Sequence, residues 1–221
     1  MRLPSHIYHL AEAANWPSIE RHGLLSTSAL LDLLDLPKQA RDRYERRHRP
    51  THTALSPGGI QIRDQKPMPV GALERCVIGL TPFDWYYLLN RKVFFWLDAG
   101  RLNRHRKACG ARPQMVLVVD TERLLNRHAH RVTLSPINSG NARRKPAVRG
   151  KSTFVAYAEW SKSGWLSEAI GLGTTPRART HRPVELAVEG SIVDILECLD
   201  GLHVLGPGET FCSGTTTQLP R

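Results

Sequence analysis

The sequence predicts an α+β fold in which a strongly twisted mixed or antiparallel sheet takes most of its helices from the N-terminal half of the chain. Stretches with helical punctuation crowd the first half, and strand-like apolar runs gather in the second. No internal repeat or regular strand–helix alternation points to a doubly wound sheet. With 221 residues, 41% hydrophobic and 23% charged, one good-sized core is the simplest arrangement. The reading is a single domain over residues 1–205 and a Gly, Thr and Pro-rich tail over 206–221 that is expected to be flexible.

Taken in order, residues 6–10 read as a short strand. Residues 15–23 read as a short helix, with Pro17 in its first turn and Gly23 as its exit. A second helix over 28–36, ended by Pro37, turns Leu30, Leu31, Leu33 and Leu34 inward. Residues 38–49 continue as a polar helix with Arg43, Arg46, Arg47 and Arg49, and 51–59 form a loop. Residues 60–65 begin as a strand and finish on polar groups. A helical stretch starts at Leu73, and another runs over 81–90, capped by Thr81 with Pro82 first.

Residues 93–97 form an aromatic strand, 101–109 a basic helix, and 114–119 a strand apolar on both faces. His128 and His130 fall in a polar turn. Strands follow at 131–134 and 153–157, separated by a Gly, Asn and Arg-rich loop over 136–150. Residues 161–183 read as one long loop, and 191–195 as the strand that closes the sheet.

Composition narrows the function classes. No run approaches the ~18 apolar residues of a membrane span, and the first residues lack a signal peptide's apolar core, so a cytoplasmic protein is expected. Cys76, Cys109, Cys198 and Cys212 are scattered and suggest neither a zinc site nor a disulfide framework; no metal is expected. The net charge of +11 predicts attraction to a polyanion, nucleic acid being the usual one.

The stretch Pro183-Val184-Glu185-Leu186-Ala187-Val188 sets a lone carboxylate in an otherwise apolar strand. With Val184, Leu186 and Val188 on one face, Glu185 lies on the other, where an unpaired carboxylate is costly unless that side meets a cleft. Catalytic acids are often held in this way, and a solvated edge-strand glutamate is the plain alternative.

Three stretches in order resemble the DarT-type ADP-ribosyltransferases: Ile7-Tyr8-His9-Leu10 followed by Asn15 and the helix and turn ending Gly23-Leu24-Leu25-Ser26; Glu45-Arg46-Arg47-His48-Arg49 followed by Pro57-Gly58-Gly59; and the aromatic strand with the strand around Glu185. The similarity runs from about residue 6 to 195, and Ile62-Arg63-Asp64-Gln65 and the Asn138–Gly150 loop have no counterpart in it. It implies a divergent branch of the ADP-ribosyltransferase fold that modifies DNA or RNA with NAD as ADP-ribose donor, and, for a toxin of this kind, an antitoxin or ADP-ribosylglycohydrolase partner.

On that reading Glu185 and Arg47 are catalytic, and His9, Leu10, Asn15, Arg63, Phe94, Phe95 and Trp96 bind NAD. Arg177, Arg179, His181 and Arg182 meet the acceptor's phosphates. Trp160 and Trp165, flanking the loop, are either base-stacking rings or anchors. The alternatives are an RNA 2′-phosphotransferase that uses NAD and a non-catalytic nucleic-acid-binding module.

Overall fold

A computed structural model of the protein describes residues 2–55, 59–143 and 145–212. The chain opens with β1 (His6–Glu12) and α1 (Trp16–His22). The exit from α1 needs Gly23 for two reasons: its φ is +76°, and a Cβ there would lie 2.4 Å from Val193 Cα. In α2 (Thr27–Leu33), capped by the Ser26 hydroxyl, Leu31 is buried and packs with Leu30 and Leu34. Leu33, expected inward, falls off that i, i+1, i+4 stripe and is exposed. The polar helix α3 (Lys38–Glu45) stops before Arg46, so Arg47 and Arg49 do not share a helical face.

A small ribbon of β2 (Thr53–Ala54) and β3 (Gln61–Ile62) follows; the expected loop residues 56–58 lie outside the described residues. Leu73 lies near the end of α4 (Val70–Glu74) rather than at its start. α5 (Pro82–Asn90) begins as expected, with Thr81 and Asp84 forming a reciprocal capping box. β4 (Lys92–Trp96) leads into α6 (Ala99–Ala108), capped by Asp98, and then β5 (Gln114–Asp120). The turn expected around His128 is instead the end of α7 (Thr121–His128), where His128 Nε2 bonds Asp194 Oδ1 at 2.8 Å.

After β6 (Val132–Ser135) the expected strand over 153–157 shrinks to β7 (Val155–Ala156), because α8 (Tyr157–Ser163) starts at once. The single loop expected over 161–183 is also corrected. α8 and α9 (Leu166–Leu172) occupy its first half, each closed by a glycine at positive φ, Gly164 and Gly173. Trp160 and Trp165 are core anchors in these helices, both fully buried. β8 (Glu185–Glu189) then enters the sheet, and β9 (Leu199–Leu205) closes it in place of residues 191–195. Gly190, at φ +77°, turns the chain out of the sheet, and Ile192 makes one bridge to Leu24.

The seven-stranded sheet has the order β7-β6-β8-β4-β1-β5-β9, and every pair in it is antiparallel. One face packs Ile7, Phe95, Leu117 and Leu186 against Trp160 and Ile192. The other meets α4 through Leu73, α5 through Trp85 and Tyr86, and α6 through Leu102. Phe211, in the segment expected to be a loose tail, is buried against Tyr8 and clamped by Asn103, which bonds both its N–H and its carbonyl. Residues 213–221 of that tail lie outside the described residues. No helix among the described residues is long and apolar enough to cross a membrane.

Candidate functional site

The sheet is continuous except at its centre. β1 pairs with β5 along its whole length, but its register with β4 holds at one pair, Tyr8 opposite Trp96. Beyond that pair a cavity of about 560 Å³ opens, lined by residues 9–12 of β1, 92–96 of β4, residues 60–65, one face of α6, the 138–141 loop and Glu185. This is within the size range of small-molecule and cofactor sites.

His9 spans the split, its ring bonding the Phe94 carbonyl at 2.8 Å through Nδ1. A carbonyl only accepts, so Nδ1 carries the hydrogen and Nε2 keeps a lone pair. Burial, with the charge of Arg63 adding to it, lowers the His9 pKa to about 4, so the ring is neutral at pH 7. Phe94 and Trp96 stand opposite Ala187 and Glu185 in register and share their face. Phe95 points the other way into the core and presents its ring to the edge of His9.

Glu185, at the start of β8, is 4% exposed. The Ser139 N–H donates to its Oε2 at 3.1 Å, and the Ser139 side chain hydrogen-bonds the carboxyl as well. Burial raises its pKa to about 7, and Ser139, Arg149 and Arg101 hold it from going higher. The second buried carboxylate, Glu12, is 2% exposed and differently placed. Arg63 Nε reaches it at 3.1 Å and Arg112 Nε at 3.2 Å, and the Gln114 amide donates to it while accepting from Arg63. Burial pushes the Glu12 carboxyl up, but the two guanidinium groups hold it below the usual range.

Next to this cluster the Trp96 indole N–H donates to His105 Nδ1 at 3.1 Å. Burial and Arg63 lower the His105 pKa to about 3, so the neutral ring carries its hydrogen on Nε2, which lies 3.2 Å from Arg63 Nη1. Nε2–H and Nη1–H are both donors, and Arg63, Arg104 and Arg112 line this end against Glu12 and Asp64. This end of the cavity therefore has a surplus of positive charge and of N–H groups, suited to an oxyanion.

His9, Leu10, Asn15, Arg63, Phe94, Phe95, Trp96 and Glu185, all singled out from the sequence, line the one cavity. Asn15 does so with both amide groups engaged, donating to the Gln61 carbonyl and accepting from the Gln61 N–H, each at 2.8 Å. It pins the short strand that delivers Arg63. Arg47 is not brought to the cavity: its side chain is 68% exposed and pairs with Asp42. The arginine of that stretch at the cavity is Arg49, buried and bonded to the Tyr44 and Arg63 carbonyls, the Asn90 side chain and, through its N–H, Gln65.

The expected acceptor-binding residues also lie off the cavity lining. Arg177 grips the buried Glu168 with Nε and Nη2, and His181 bonds the Pro136 carbonyl. Arg179 and Arg182 are exposed. The residues missed from sequence, Glu12, His105, Arg112, Gln114, Ser139 and Arg149, carried no local motif. Among the described residues no three of His, Cys, Asp and Glu are grouped to hold a metal ion.

Fold and site define an α+β protein whose central antiparallel sheet parts over a cavity lined by a neutral histidine and by a buried glutamate with a raised pKa. The chain belongs to a family of unknown function (DUF7002), whose model matches residues 5–199. No curated protein and no solved structure matches it.

Proposed function

We propose that the protein is an NAD-dependent mono-ADP-ribosyltransferase that modifies nucleic acid, DNA or RNA, and releases nicotinamide. The observation that carries this reading is Glu185, a buried carboxylate with its pKa raised to about 7, in the cavity that His9 also lines. In the transfer, the bond from nicotinamide nitrogen to the ribose anomeric carbon breaks and nicotinamide leaves with the electron pair. The acceptor's nucleophilic atom forms the new bond and loses its proton. Glu185, ionised, stabilises the oxocarbenium-like transition state and takes that proton, for which a pKa near neutrality is well matched.

His9 Nε2 accepts from a ribose hydroxyl, and Phe94 and Trp96, on the face of Glu185, flank the nicotinamide. Arg63 Nη1 and His105 Nε2 donate to the diphosphate. Arg47 has no part in this reading, since its side chain pairs with Asp42 away from the cavity. The +11 net charge supports a polyanionic acceptor.

The test is to incubate the protein with NAD and short single- and double-stranded DNA and RNA. A mass gain of one ADP-ribose on an oligonucleotide, lost in Glu185→Gln, is expected. No gain on any nucleic acid, or labelling by Glu185→Gln equal to wild type, overturns the proposal. A second reading, removal of an RNA 2′-phosphate with NAD, draws on the excess of guanidinium over carboxylate around Glu12. It predicts instead that Glu185→Gln keeps activity on an RNA with an internal 2′-phosphate.

A further inference from the structure

The 138–150 loop, without a counterpart in the resemblance, carries near its end the least exposed arginine among the described residues. Arg149 is 1% exposed. Its Nη1 donates to the Ser139 carbonyl at 3.1 Å and its Nε to the Ala147 carbonyl at 3.1 Å, with the guanidinium 5.8 Å from the Trp85 ring centre. Its backbone is fixed as well: Arg149 N–H donates to the Cys76 carbonyl at 2.8 Å, and Ile78 N–H to the Arg149 carbonyl at 2.7 Å. A Cβ on the next residue, Gly150, would lie 2.6 Å from the Ile78 carbonyl oxygen, so the chain is pressed against residues 76–78.

A buried guanidinium bonded to carbonyls keeps a large desolvation cost, which a nearby anion offsets. The residue Arg149 grips, Ser139, is itself 1% exposed and donates its N–H to Glu185. We propose that Arg149 is a positioning residue, holding Ser139 against Glu185 and, through that contact and its own charge, setting the pH at which this carboxylate gives up its proton. The charged groups that act on Glu185 are Arg149 from this loop and Arg101 from α6; Trp96 stands beside it on β4 and Ser135 on β6. Arg101 is already paired with Asp98 at 2.9 Å, which leaves Arg149 as the dedicated cation.

The catalytic meaning of this arrangement rests on the reading of Glu185 as the reacting carboxylate, whereas the coupling itself is measured without substrate. Carbon-detected NMR of the full chain follows the Glu185 carboxyl and the Ser139 amide through a pH titration. In wild type the two titrate with one midpoint. In Arg149→Met the Glu185 midpoint rises by about one pH unit or more. The pH profile of NAD breakdown moves to alkaline pH by the same interval.

Arg149→Lys keeps the charge but not the fork, so its midpoint stays near wild type while the Ser139 amide exchanges faster. A Ser139 amide indifferent to the Glu185 titration in wild type overturns the inference even if Arg149→Met does not fold, and so does an unmoved midpoint in a folded Arg149→Met. Loss of NAD breakdown in wild type alongside the expected titrations refutes the proposed reaction and leaves the coupling standing.

Discussion

Glu185→Gln separates what the site costs in stability from what it does. In the folded protein the Glu185 carboxyl is moved from the ordinary 4.5 to about 7, chiefly by burial. A shift of that size corresponds to about 3 kcal/mol. Because the folded-state value is the higher one, the stabilising contribution is fully present below pH 4.5 and is lost as pH rises through about 7. Glutamine keeps the shape of the protonated form and does not ionise, so it is free of this loss.

The variant is therefore expected to match wild type near pH 4 and to exceed it by about 3 kcal/mol near pH 8.5, read from urea unfolding at several pH values. His9 and His105, lowered to about 4 and about 3, act in the opposite sense and destabilise both proteins equally as pH falls below 6.5. The difference between variant and wild type isolates the glutamate. A difference that does not change with pH, or that changes in the other direction, refutes the assignment of Glu185 as a carboxyl whose charge the fold disfavours.

Two further outcomes follow from the same geometry. Gly23→Ala adds a Cβ 2.4 Å from Val193 Cα at a positive φ, and a loss of about 2 kcal/mol or more in urea unfolding is expected. Glu12→Ala leaves Arg63 and Arg112 without their shared carboxylate in a partly dry site. A loss of about 3 kcal/mol is expected, with recovery of thermal stability on adding pyrophosphate, measured by melting with and without that anion.

The strands that bear the cavity are legible in the sequence because each is a short run rich in apolar residues, and Glu185 is conspicuous as an acid within one of them. The helices α8 and α9 are hidden in the sequence because Gly164 and Gly173, which resemble turn signals, are helix exits. The sequence points to Arg47 as readily as to Arg49, because residue type does not distinguish neighbours in an arginine-rich stretch. The end of α3 at Glu45 puts one in solvent and the other inside. The Glu12, Arg112 and Gln114 cluster depends on the register that sets Glu12 opposite Gln114, a non-local pairing with no trace in either segment alone.

The cavity holds two buried carboxylates, and their neighbours decide what each is able to do. Glu12 is surrounded by guanidinium and amide donors, so its charge is fixed and its lone pairs are occupied. It cannot exchange a proton near neutral pH, and its effect is to aim Arg63 and Arg112. Glu185 has hydrogen bonds from Ser139 and the charges of Arg149 and Arg101, too little to hold its pKa down against burial; on the proposed reading it exchanges its proton in the range where an acceptor must lose one. Were a guanidinium within bonding distance of Glu185, its pKa would fall and the base would be gone. On the proposed reading, Arg149 acting through Ser139 places the carboxylate and still leaves it free to react.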